Sequence, residues 1–172
     1  YILTDKISTW CFETEEDIRP YFQTMLDACG VEYFDFYLMH SQDKNIYAKF
    51  KACRAYETAL QLKNEGKVKH VGISFHDTAD ILDKILTEYP QLEVVQLQFN
   101  YADYDDPSVQ SRACYEVCQK HGKPVLVMEP VKGGTLANVP AAVEEHLKKY
   151  HPDWTPASWA LRFCMSFDKV FM

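Results

Sequence analysis

The stretch Lys69-His70-Val71-Gly72-Ile73-Ser74-Phe75-His76-Asp77 sets how the rest of the chain reads. Its first part, Lys69–Ser74, has the length and β-branched content of a strand covered on both faces. It then passes directly into Ser74-Phe75-His76-Asp77, a polar and titratable group. The same grammar recurs outward in both directions. Further strand candidates are Tyr1–Thr4, Phe34–Met39, Val94–Leu97, Pro124–Met128 and Lys169–Met172. The first ends in Asp5-Lys6, the second in His40-Ser41. The fourth ends in Gln96, Gln98 and Asn100, and the fifth in Glu129 followed by Lys132-Gly133-Gly134.

Helical patterns separate these runs. Ile18, Phe22, Met25, Leu26 and Cys29 share one stripe, and Phe50, Cys53 and Leu60 a second. Ile81, Leu82, Ile85 and Leu86 make a third; Val109, Ala113 and Val117 make a fourth. A last helix is predicted over Pro156–Met165, with Thr155 as its cap and Pro156 at its first position. Gly30, Gly66 and Gly122 stand where helices end. Asp77 or Thr78 can cap the third helix. Asp103–Asp106, before Pro107, reads as a solvated loop.

Strand–helix alternation implies a parallel sheet with right-handed crossovers. An open doubly wound sheet would be expected to show a G-x-G-x-x-G or a G-x-x-x-x-G-K-[ST] motif, and neither occurs. A closed barrel instead gathers its strand ends on one face, where its chemistry sits. Five consecutive strands ending in polar groups favour that arrangement. The expectation is therefore α/β: a partial (β/α)8 barrel with outer helices, forming a single incomplete domain over residues 1–172.

Composition narrows the function. With 47% hydrophobic and 25% charged residues among 172, the mix is that of a globular domain. A net charge of -7 argues against a nucleic-acid partner, which would need a basic face. No run approaches the roughly 20 apolar residues of a membrane span. The six cysteines are not spaced as a stapled scaffold, which suggests a reducing, cytoplasmic setting. Cys114 and Cys118 lack two further ligands for a metal and read as core packing. No metal site is expected.

Several segments together resemble the aldo-keto reductases. They are Leu3-Thr4-Asp5-Lys6, Phe34-Asp35-Phe36-Tyr37-Leu38-Met39-His40 and Gly66–Ser74. Val95–Tyr101, Val127–Gly134 and Ala160-Leu161-Arg162-Phe163 continue the match in order and spacing. Ser-Phe-His-Asp and Met-Glu-Pro look most like a microbial branch in which a ferredoxin-like iron–sulfur domain often follows the barrel. By this resemblance the chain runs from the third barrel strand into the eighth. Of the family's catalytic Asp, Tyr, Lys and His, only the lysine, matched by Lys6, and the histidine, matched by His40, then fall within it. An iron–sulfur cluster would belong only to a region beyond Met172.

The resemblance implies hydride transfer between NADP(H) and a small carbonyl or alcohol. The loop that selects the adenosine 2′-phosphate falls outside the chain, so NAD(H) stays open. Lys6 would lower the pKa of the missing tyrosine, and His40 would hydrogen-bond the substrate oxygen. Ser74 and Gln96 match positions that hold the nicotinamide carboxamide. Met128 stands where many members stack a tyrosine on the ring, and Phe75 where they commonly have asparagine. Glu129, Pro130, Val131, Lys132, Gly133 and Gly134 form the loop that would approach a pyrophosphate, with Lys132 adding charge; a bare turn explains Gly133-Gly134 as well. His76 and Trp10 are candidates for the substrate pocket, although a loop tryptophan covering the core reads equally well for Trp10.

Three rival readings remain from the residues. A barrel lyase would use Lys6 as a Schiff-base nucleophile. A metal-dependent hydrolase would want clustered ligands, and His40, His70 and His76 do not form H-x-H. A non-catalytic, reductase-like module would bind a cofactor or partner without turnover. The 172-residue chain by itself is expected to be inactive and prone to aggregate through open strand edges.

Overall fold

The computed structural model describes residues 1–171. Six strands form one parallel sheet in sequential order. They are β1 (Thr4–Ile7), β2 (Phe34–Gln42), β3 (Val68–Phe75), β4 (Val94–Gln98), β5 (Val125–Met128) and β6 (Val170–Phe171). Seven helices lie between them: α1 (Glu15–Cys29), α2 (Lys44–Ala52), α3 (Ala55–Asn64), α4 (Ala79–Glu88), α5 (Ser111–Lys120), α6 (Ala141–Lys148) and α7 (Pro156–Met165). This is the strand–helix repeat of a β/α barrel carried through six strands.

Alternation assigns the two faces of the sheet. Ile7, Tyr37, Met39, Val71, Ile73, Val95, Leu97 and Val125 join Ile18, Phe22, Leu26, Phe50, Leu82, Ile85, Cys114 and Cys118 in one core. These strand residues form the outer face, under the helices. The inner face carries Lys6, Leu38, Gly72 and Val94, which are paired in register. Gln96 and Leu126 continue it. The sheet curls enough for Phe36 of β2 and Phe171 of β6 to bring their ring centroids within 6.0 Å. The interior is correspondingly tight at Gly72. A Cβ there would sit 2.3 Å from the Val94 carbonyl oxygen and 2.4 Å from Val94 Cγ1.

Several boundaries differ from those read in the sequence. The first strand is Thr4–Ile7 rather than Tyr1–Thr4, because pairing begins at Thr4 against Phe36, while Tyr1 and Ile2 are exposed. The second strand continues through His40 to Gln42. The helix read through Phe50, Cys53 and Leu60 is two helices, α2 and α3, because Arg54 takes a left-handed conformation between them. The fourth stripe is also shifted. The buried residues of α5 are Ser111, Cys114 and Cys118, while Val109 precedes the helix. Gln110 is left-handed there and sets the start of α5. Cys29, predicted inside, is exposed at the last turn of α1. The final strand is Val170–Phe171 within the described residues, and Met172 lies outside them.

Other details agree with the sequence reading. The helix α7 spans Pro156–Met165, and the Thr155 hydroxyl accepts a hydrogen bond from the Ser158 N–H at 3.1 Å. Gly30, Gly66 and Gly122 all have left-handed φ. All six cysteines are free, and Cys114, Cys118 and Cys164 are buried. Burial pushes the Cys114 thiol up to about 12. Among the described residues, no helix is long and apolar enough to cross a membrane.

Candidate active site

The carboxyl ends of β1 to β4 bring four polar side chains together. Lys6 lies inside β1 and faces inward. Its ammonium donates to Gln96 Oε1 of β4 at 2.5 Å. Partial burial lowers the Lys6 pKa, because a charged amine loses hydration there. Among the described residues, no carboxylate forms an ion pair with it. Asp5, its neighbour, points to the other side of the strand; burial raises its pKa, and one of its oxygens has no partner.

His40 owes its position to a bulge. Met39 pairs with Ile73, but Gln42 pairs with Phe75, so β2 carries one residue more than β3 between these points. Ser41 absorbs the extra residue at φ 54. Two buried groups hold the bulge closed. The Ser74 hydroxyl oxygen accepts the Ser41 N–H at 2.8 Å. The Gln42 amide donates to the His40 carbonyl at 2.9 Å and accepts from the Tyr56 hydroxyl at 2.7 Å. Bulges of this kind re-aim a side chain beside a site. The His40 Nδ1 lies 2.5 Å from the Ser8 hydroxyl oxygen. Desolvation lowers the His40 pKa first, followed by the charges of Lys6 and His76.

His76 follows β3 and is exposed at the mouth of this group. Even so, partial desolvation and then Lys6 draw its pKa down, with Asp43 opposing. Trp10 sits in a short 3-10 turn, Thr9–Cys11, that projects from the end of β1. Its ring is 77% exposed and meets the His40 ring edge-on at 5.9 Å. Trp10 therefore stands at the edge of this group, against His40, and does not cover the core.

The remaining predicted site residues are placed less simply. Ser74 is fully buried on the inner face, in register with Gln96, and its oxygen accepts the Ser41 N–H. Met128 is half-buried at the end of β5, in register with Gln98. The segment from Glu129 to Gly134 follows. Glu129, Lys132, Gly133 and Gly134 all have positive φ, and an added Cβ at Gly134 would meet nothing within 4 Å. Pro130 and Val131 form the middle of that turn, and the Val131 carbonyl accepts from Gly134 and Leu136. Lys132 is not a free cation, because its ammonium pairs with Asp103.

That pair corrects the reading of Asp103–Asp106 as solvated. Asp103 is 1% exposed. Gln98 and Asn100 each donate to its Oδ2 at 2.8 Å. Asn100 also donates to the Glu129 carbonyl at 3.0 Å, tying the loop after β4 to the loop after β5. Burial pushes the Asp103 carboxyl up, but Lys132, Gln98 and Asn100 outweigh it and hold the pKa below the ordinary value. Sequence reasoning missed Ser8, Gln42 and Asp103. Only Gln42 left a signal: a polar residue two positions after the strand-end histidine. Among the described residues, no three His, Cys, Asp or Glu side chains group as a metal site.

The family model for aldo/keto reductases matches residues 4–172. The chain belongs to the aldo/keto reductase family. An uncharacterized oxidoreductase, YtbE, of Bacillus subtilis (strain 168) is 26% identical over 129 residues, covering 75% of this chain and 42% of that protein. The NADH-specific methylglyoxal reductase of Escherichia coli (strain K12) is 25% identical over 122 residues, covering 70% of this chain and 35% of that protein. The chain thus spans less than half the length of either relative. Family folds superpose closely. The aldo/keto reductase of Brucella melitensis gives a TM-score of 0.74 at 23% identity, covering 99% of this chain and 61% of that one. A Klebsiella pneumoniae aldo/keto reductase, solved with NADP and acetate, gives 0.68 at 18% identity, covering 98% and 57%. These likenesses establish the barrel architecture.

Proposed function

We propose that this chain contributes the lysine and histidine of a nicotinamide-dependent carbonyl reductase site. One observation carries the reading: Lys6, His40, His76 and Gln96 converge from the ends of four strands, around an amine that is partly desolvated. A carbonyl oxygen that gains negative charge needs hydrogen-bond donors and positive potential close by. Lys6 supplies the potential, and neutral His40 supplies a donor. In the complete protein Lys6 would also hold down the pKa of a tyrosine acid, as the family resemblance implies.

The residues present fit a nicotinamide dinucleotide. Gln96 offers an amide at the inner mouth, where a carboxamide could replace Lys6 as its partner. The consecutive left-handed residues Lys132, Gly133 and Gly134 turn the chain after β5 with open space at Gly134, as close approach to phosphate oxygens requires. When bound, the cofactor supplies the hydride. Lys132 can meet a phosphate only by sharing or leaving Asp103. We propose NADP(H), in line with the Klebsiella structure, while the Escherichia coli relative's use of NADH makes NAD(H) the comparison to run. Small aldehydes and dicarbonyls are the substrates to test first.

A second reading also has an observation behind it. An amine with a depressed pKa and no carboxylate partner is what a Schiff-base nucleophile needs. The two readings separate in one experiment on the full-length protein. It is supplied with NADPH or NADH and a small aldehyde, and in parallel with a keto substrate and borohydride. Nicotinamide oxidation without covalent trapping at Lys6 supports the reductase. Trapping at Lys6 with no nicotinamide oxidation overturns it.

A further inference from the structure

We propose that Ser8 is a positioning residue that fixes His40 with its proton on Nε2, turned toward the substrate; this rests on the reductase reading above. Ser8 follows β1 by one residue and is only 5% exposed. Its hydroxyl has one side-chain partner among the described residues, His40 Nδ1 at 2.5 Å. Hydrogen-bond counting then decides the direction. A neutral imidazole has one N–H and one acceptor nitrogen. If Nδ1 carried the proton, it would donate to Ser8, and the buried hydroxyl proton would be left with no acceptor. An unmet buried donor is costly. If Ser8 donates to Nδ1, both groups are satisfied and the ring proton must lie on Nε2. No protein partner takes Nε2 among the described residues, so that N–H is free for a carbonyl oxygen.

The groups facing the ring act in the same direction. Lys6 from β1 and His76 after β3 both oppose an imidazolium, which would place a second donor against the hydroxyl. Trp10 closes the ring edge at 5.9 Å. On the other side of the residue, Gln42 holds the His40 carbonyl. The His40 backbone is therefore held by Gln42 and its ring by Ser8. Neither Ser8 nor Gln42 carries out any chemistry of its own.

The test is 15N NMR of the imidazole in the full-length protein, joined to kinetics. The wild type should show His40 as the Nε2–H tautomer at neutral pH. Ser8→Ala should give a mixture of tautomers and lower kcat for carbonyl reduction by about tenfold, the worth of one lost positioning hydrogen bond. The KM for the nicotinamide should not move. Ser8→Thr keeps the hydroxyl and should restore both the spectrum and the rate. An Nδ1–H tautomer in the wild type overturns the proposal, even if Ser8→Ala fails to fold. So does a Ser8→Ala protein with unchanged tautomer and rate. If the protein shows no nicotinamide-dependent reduction, the reductase reading falls, while the tautomer measurement still stands or fails by itself.

Discussion

Gly72 offers the sharpest perturbation of the fold beneath the site. A methyl group added there would lie 2.3 Å from the Val94 carbonyl oxygen, 2.4 Å from Val94 Cγ1 and 3.0 Å from Leu38 Cδ2. The last contact can be relieved by a rotamer change. The first cannot, because Gly72 and Val94 are partners in the β3–β4 ladder. Overpacking a tight core costs about 1–3 kcal/mol, and a backbone contact places Gly72→Ala at the top of that range, about 3 kcal/mol. For a domain of this size that is a fall of roughly 6–12 °C in the unfolding midpoint. Urea unfolding followed by circular dichroism measures it. Val94→Ala in the same chain removes the Cγ1 contact and leaves the carbonyl, so the double variant should recover only part of the loss. A Gly72→Ala protein within about 0.5 kcal/mol of wild type would refute the claim that the inner face has no room at this point. Full rescue by Val94→Ala would show that the side chain, and not the ladder, sets the limit.

Three further outcomes follow from the same geometry. Gln42→Leu leaves the Tyr56 hydroxyl and the His40 carbonyl without their partner, and should cost about 2–3 kcal/mol in urea unfolding while also lowering turnover in the full-length protein. Asp103 has a folded pKa below its unfolded value, so its stabilisation is fully present above about pH 3.9 and is lost as pH falls through the depressed folded value; Asp103→Asn should flatten the acid limb of a stability–pH curve, and an unchanged limb would contradict the pair with Lys132. Thr155→Ala should cost about 1 kcal/mol by removing the cap of α7, read as a shift in the urea midpoint without a change in slope.

The parallel sheet and its order were legible in the sequence because each strand is short, apolar and closed by polar residues at one end. Residues at strand ends, such as Lys6, His40 and Gln96, could be singled out for the same reason. What could not be read was how those ends are held. The bulge at Ser41 depends on a left-handed residue that is not glycine, so no composition signal marks it. Ser8 matters only through a partner 32 residues away, and Asp103 ties its own loop to that of Lys132, 29 residues away. An aspartate in the run Asp103-Tyr104-Asp105-Asp106 looks solvated until its buried donors are seen. The break between α2 and α3 was hidden because Phe50, Cys53 and Leu60 keep helical spacing across it.

The most direct test of the central claim is the rate of carbonyl reduction by the full-length protein carrying Lys6→Met. Loss of a preorganised charge at the reacting oxygen should lower kcat by about a hundredfold or more, with nicotinamide affinity changed only a few-fold. Undiminished turnover in Lys6→Met would contradict the assignment of this strand-end lysine to the chemistry.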